Sequence, residues 1–236
     1  GEEVLASFPE AMRVKFRREI LDHRLRREIV ATEIANRMVN RLGLLHPFEL
    51  AEEEGATLAQ VAAAFVAAEQ IFAMAEVWQA IETGRMPEAA RVALFDRAAW
   101  ALRPHMADLL RGGAGTQSPV ALAAALKPAI DRLGQGLGDL IAAETRRQSG
   151  ALQAELAAAG APRALAQRVA TLFDLDGAVG LARLAQGSGQ PVTGLATAFV
   201  DLGARLGLDW AQGMAARMAP SDPWERLLAG GLARDF

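Results

Sequence analysis

Apolar residues recur at helical spacing along nearly the whole chain, and no alternation of period two persists long enough to predict a strand. The pattern predicts an all-α fold, a multi-helix array without a sheet. Ser7 ahead of Phe8-Pro9 reads as an N-cap followed by a first-turn proline, opening a helix with a stripe of Met12, Phe16 and Ile20 that runs to about Leu21. A second helix over Leu25 to Leu42 is stopped by Gly43, and His46-Pro47 starts a short third one that Gly55 ends. Thr57 with Gln60 forms a capping box for the longest helix, Leu58 to Thr83, which is apolar around most of its circumference and therefore central.

Pro87 opens a helix reaching about Arg111, with a kink expected at Pro104. The run Gly112 to Gln117 reads as a linker. Ser118-Pro119 restarts a helix that Pro128 and the glycines at 134, 136 and 138 should bend or interrupt before a straight part up to Arg147. Shorter helices follow near Ala151 to Ala159, Pro162 to Leu175, Ala178 to Gln186, Val192 to Leu206, Asp209 to Met218, and from Asp222-Pro223 onward. This divides the chain into an N-terminal half, 1–111, and a C-terminal half, 118–236, packed as one domain.

The halves echo each other at an offset of 134: Gly55, Leu58, Val61, Phe65 and Val66 correspond to Gly189, Val192, Leu195, Phe199 and Val200. Two readings stand. Ala-rich helices match one another easily, or residues 29–82 and 164–217 are pseudo-symmetric repeats of a helix, a short helix and a long apolar helix. The second reading expects Phe65 and Phe199 in equivalent buried positions and Gly55 and Gly189 in matching turns. Separately, Trp78 and Trp210, which end comparable helices, read as large core fillers, not a cofactor box.

On a helical wheel of Leu25 to Leu42, Thr32 and Asn36 fall between Leu25, Ile29 and Val39, inside an apolar arc. That places both in the interior, where Asn36 would tie the helix to a neighbouring backbone. Arg27 sits at the edge of the arc and is expected in an ion pair, while Arg26, Arg37 and Arg41 point to the solvated side. The Glu52-Glu53-Glu54 run ends its short helix against the dipole and is expected to lean on nearby arginines.

Composition narrows the chemistry. The chain has no Cys, which removes thiolate catalysis, disulfides and sulfur metal sites, and its three His are isolated, so no metal is implied. Net charge is −3, too small to drive nucleic-acid or membrane binding. Seven basic residues between Arg13 and Arg27 face only Glu19 and Asp22, but no aromatics interleave for base stacking, so this patch reads as a solvated or interdomain face. The N-terminus lacks a basic-then-apolar signal pattern, and Ala56 to Ile81 is interrupted by Gln60, Glu69, Gln70 and Glu76, which rules it out as a bilayer span. Neither Gly112 to Gly115, after a helix, nor Gly134-Gln135-Gly136-Leu137-Gly138 fits a dinucleotide loop. No residue is assigned a catalytic, cofactor-binding or metal role.

The most idiosyncratic stretch is His23 to Glu82, with Leu25-Arg26-Arg27-Glu28-Ile29, Ala31-Thr32, Asn36, Val39-Asn40-Arg41, Glu54-Gly55-Ala56, Ala64-Phe65-Val66 and Trp78. In this order and spacing it resembles the C-terminal helical region of the large bacterial NAD-specific glutamate dehydrogenases. The likeness continues more loosely through Val169 to Ala185, Pro191 to Trp210 and Pro223 to Leu227. It departs at His23-Arg24-Leu25, where the family tends to His-Pro-Leu, and at His46-Pro47, where Thr-Phe is usual. The resemblance implies a parent enzyme that deaminates L-glutamate to 2-oxoglutarate and ammonia with NAD as cofactor, as a cytoplasmic homo-oligomer. Its lysine, aspartate and dinucleotide glycines have no counterparts here. The chain is then expected to be a noncatalytic module that takes the catalytic domain of the same polypeptide as partner, with no nucleic acid and no membrane. The alternative is an independent helical adaptor or regulatory protein-interaction domain.

Overall fold

A computed structural model of the chain describes residues 3–208 and, beyond them, Trp210, Ala211, Met214, Met218, Ser221, Asp222, Trp224, Glu225 and Leu228. The described residues form thirteen α-helices and no strand: α1 (Glu3–Ala6), α2 (Glu10–Lys15), α3 (Arg17–Leu21), α4 (Arg26–Leu42), α5 (His46–Glu53), α6 (Leu58–Ile71), α7 (Met74–Thr83), α8 (Glu88–Arg111), α9 (Pro119–Leu140), α10 (Ala143–Ala158), α11 (Arg163–Asp174), α12 (Ala178–Ser188) and α13 (Val192–Leu206). The expected helices at Asp209 to Met218 and from Asp222 onward lie largely outside the described residues.

α6 is the central element, as its all-round apolar surface requires. It packs between α8 and α9, with α4 and α5 on its remaining sides. Small side chains let these backbones come close: Ala64, Ala67 and Ala68 on α6, Ala98 and Ala101 on α8, and Ala123 on α9 are all buried. The capping box holds as read, Thr57 N–H donating to Gln60 Oε1 at 2.8 Å and Gln60 N–H to Thr57 Oγ1 at 3.3 Å. One contiguous core runs from Met38 through the buried faces of α6 to α9 to Ala196, so both halves of the chain contribute to it. A second, smaller cluster of Val4, Leu5 and Ile20 joins α1 and α3 to the first turns of α4.

Several elements differ from the expectation. The helix read as Leu58 to Thr83 breaks at Phe72-Ala73, and α6 and α7 meet at 79°. Ala73 adopts φ +50°, the left-handed region, and is the only residue other than glycine with positive φ among the described residues. The break is held from outside: Arg168 donates to Phe72 O at 2.7 Å, Lys127 Nζ to Ile71 O at 3.2 Å, and His105 stacks on the Phe72 ring at 4.0 Å. Conversely, α8 and α9 run unbroken through Pro104 and Pro128. The interruption expected from the α9 glycines comes at Ile141-Ala142, ahead of α10. The helix expected from Ser7 to Leu21 is two short ones, α2 and α3, divided at Phe16, with Pro9 in place of Ser7 at the N-cap position and the unexpected α1 ahead of it.

The duplication survives in outline and fails in packing. Gly55 and Gly189 both take left-handed φ, +59° and +69°, in turns that precede α6 and α13, as the offset requires. Phe65, however, is fully buried whereas Phe199 is 57% exposed, and Trp78 is 2% exposed whereas Trp210 is 69% exposed. The cause is the placement of the flanking helices. α4 lies on α6, but α11 packs on α10 and α8 and makes no extensive contact with α13. The expectation of equivalent buried Phe positions is therefore overturned, and so is that of Trp210 as a core filler.

Candidate docking faces

Within α4 the family-like stretch places Thr32, Asn36 and Val39 outward, whereas Phe65 and Trp78 of the same stretch are buried. In α4 the buried positions are Met38 and Leu42, with Ile34 packed against the same core. At 100° per residue Asn36 lies opposite this face, with Thr32 and Val39 on its outer flank. Thr32, Asn36 and Arg27 are exposed, which corrects the interior placement of Thr32 and Asn36. No carboxylate pairs with Arg27 among the described residues, contrary to the expected ion pair.

The wheel was misled by arginines. Arg37 and Arg41, read as solvated, flank the core face instead. Arg37 pairs with Glu69 and lies over the Phe65 ring at 5.9 Å, and Arg41 pairs with Glu82 and lies over Trp78 at 5.3 Å and Phe95 at 5.7 Å. Their aliphatic stems cover apolar surface while the charged heads find partners, which a hydrophobic count treats as polar surface. Trp78 itself is stacked on Phe95, ring centres 5.7 Å apart. Helix α4 thus has two faces with apolar character, one packed and one bare.

Beside the bare face, the N-terminal helices leave a shallow cleft of about 310 Å³ lined by Ser7, Leu25, Glu28, Ile29, Thr32 and Glu33. A second cleft of about 350 Å³ lies where the α4–α5 turn meets α8, with Leu44, Leu45 and Trp100 exposed at its rim. Its floor is Arg103, almost wholly buried, which donates to Glu49 at 3.2 Å and to Glu53 at 2.5 Å. Glu54 accepts two hydrogen bonds from Arg111, each 2.9 Å. The acidic run therefore leans on arginines as read, through Glu53 and Glu54. His46 lies beside this pair, and burial first, then the Arg103 charge, push its pKa down to about 4.

Arg103 was not singled out in the sequence, and the neighbouring His105 was read only as an isolated histidine. His105 is fully buried and neutral: burial holds its pKa below the usual histidine value, while Nε2–H donates to Leu172 O at 2.8 Å. The signal that would have found Arg103 is the i, i+4 pair Glu49 and Glu53, but its cation lies fifty residues or more away in sequence. Among the described residues no three His, Asp or Glu converge as metal ligands, and of the two glycine runs Gly112 to Gly115 joins one helix to another while Gly134 to Gly138 lies inside α9. The geometry of the described residues shows exposed apolar faces and no poised nucleophile or base. No single helix among the described residues is long and apolar enough to cross a membrane.

Comparison with known proteins agrees with the sequence resemblance. The family described as glutamate dehydrogenase, C-terminal, matches residues 1–236. Similar relatives are the NAD-specific glutamate dehydrogenases of Halomonas elongata, 31% identical over 222 residues, and of Mycobacterium tuberculosis, 33% identical over 171 residues. That of Pseudomonas aeruginosa is 28% identical over 223 residues. The matches cover 92%, 70% and 94% of this chain but only 14%, 10% and 14% of the relatives.

Proposed function

We propose, because this chain belongs to the glutamate dehydrogenase C-terminal family, that it is a noncatalytic helical module of a longer NAD-dependent enzyme oxidising L-glutamate to 2-oxoglutarate and ammonia. The module supports the catalytic domain or the oligomer of that parent, and the parent works in the cytoplasm. The observation that carries this reading is the outward placement of the family-like α4 side chains Thr32, Asn36 and Val39, on a chain spanning at most 14% of its relatives' length. A residue pattern shared at exposed positions is accounted for by a surface that packs elsewhere in the polypeptide. The NAD site and the reacting groups then belong to the remainder. An all-helical array lacks the strand, glycine turn and helix N-terminus that cradle a pyrophosphate.

The test is the native polypeptide. Its mass should far exceed 25.0 kDa, and the upstream part expressed without residues 1–236 should still bind NAD in a calorimeter while melting lower or assembling differently. A native polypeptide of this chain's mass alone would overturn the proposal. So would an upstream part with no NAD binding beside a chain that binds it.

A further inference from the structure

The N-terminal arm differs in kind from the body it is attached to. α2 is six residues long and buries none of them, and its main packing among the described residues is on α3. Six residues are far below the length at which a helix holds itself in water, roughly 12 to 15. Met12, Val14, Phe16 and Leu25 are exposed, Val14 to 81%. The arm's small core is separate from the main one and reaches it only through α4.

Charge separates the arm as clearly as packing does. Over α2, α3 and the first turn of α4, residues 10–29, seven cations against four carboxylates give +3 in a chain of net −3, so the remaining residues carry −6. In the body, Arg37, Arg41, Arg97, Arg103, Arg111 and Lys127 all pair with carboxylates. In the arm, no carboxylate among the described residues pairs with Arg13, Arg18, Arg24 or Arg27. A basic surface on which Arg13, Arg18, Arg24 and Arg27 meet no described carboxylate, studded with exposed apolar side chains, suits a partner that is acidic and partly apolar.

We infer that α2, α3 and the first turns of α4 form a docking surface for an acidic, partly apolar face of the upstream part of the same polypeptide. This rests on the reading under Proposed function, and adds to it the surface and the chemistry of its partner. The occupant follows from the lengths: at least 86% of each relative lies outside the matched segment. A family matched as C-terminal places that remainder ahead of the arm. A segment joined to the arm by the chain itself meets it at high effective concentration, so modest complementarity suffices.

The experiment compares hydrogen exchange at residues 10–25 in the full-length parent, in this chain alone, and in the parent carrying Arg13→Glu, Arg18→Glu and Arg24→Glu. Arm amides in the parent should exchange at least about tenfold more slowly than in the chain alone. The triple substitution should return them to the chain-alone rate while amides in α6 and α8 stay unchanged. Equal arm exchange in the parent and the chain would overturn the inference and leave the module reading intact. Protection that appears in the chain alone as its concentration rises assigns the surface to a second copy and overturns the inference. Protection that needs added phosphatidylserine vesicles assigns it to a membrane, with the same result.

Discussion

Arg103 is nearly sealed from water, while Glu49 and Glu53, which share its guanidinium, remain partly wetted. Arg103→Met removes the cation and leaves two like charges one helical turn apart. The expected loss is roughly 2 kcal/mol, below the value for a fully buried pair because water still reaches the carboxylates. Urea midpoints of the variant and the parent sequence measure it. His46, in the same cluster, gives a pH dependence. Its folded pKa of about 4 lies below the unfolded value of 6.5, so the unfolded chain binds the extra proton between them. Its contribution is present above 6.5 and is lost as pH falls toward 4, about 2 kcal/mol at pH 5. His105, depressed by burial, acts with the same sign, whereas Asp174, raised by burial, gains stability as pH falls through the carboxylate range. His46→Gln should flatten the decline of the urea midpoint between pH 7 and 5, and an unchanged slope would remove His46 from the account. Asn36→Leu and Asn40→Leu, both at exposed positions, should each shift stability by less than about 0.5 kcal/mol. Which side of α4 faces inward was not legible from polarity. The deciding feature is where Arg37 and Arg41 lay their stems, and that depends on rings in α6, α7 and α8.

At the scale of elements, α4, α5, α8, α11, α12 and α13 begin and end within a few residues of their sequence signals, because Gly43, Gly55, Pro87, Pro162 and Pro191 act locally. The break between α6 and α7 has no such signal. Phe72 and Ala73 are ordinary helix interior residues, and the bend is fixed by Lys127 and Arg168, side chains that arrive from α9 and α11. Alanine at φ +50° carries strain on the order of 1 kcal/mol that glycine avoids. Ala73→Gly should therefore raise the thermal midpoint or leave it unchanged, despite the usual entropic cost of glycine. Arg168→Met frees the Phe72 carbonyl and should destabilise by about 1 to 2 kcal/mol. A marked loss for Ala73→Gly would mean the bend is not strained.

Across the whole molecule, the all-α architecture followed directly from hydrophobic periodicity, and the central place of α6 from its all-round apolar surface. The duplication was half legible, since turn glycines repeat in sequence but helix docking does not: α11 leaves α13 uncovered and Phe199 in water. Exposed surface of this kind, together with the bare face of α4 and the basic arm, supports the proposal that the chain packs against more protein. The most direct measurement of the central claim is calorimetric titration of NAD into this chain alone. The account expects no saturable heat, because no described element forms a strand-to-helix phosphate turn. Stoichiometric NAD binding by residues 1–236 would contradict it.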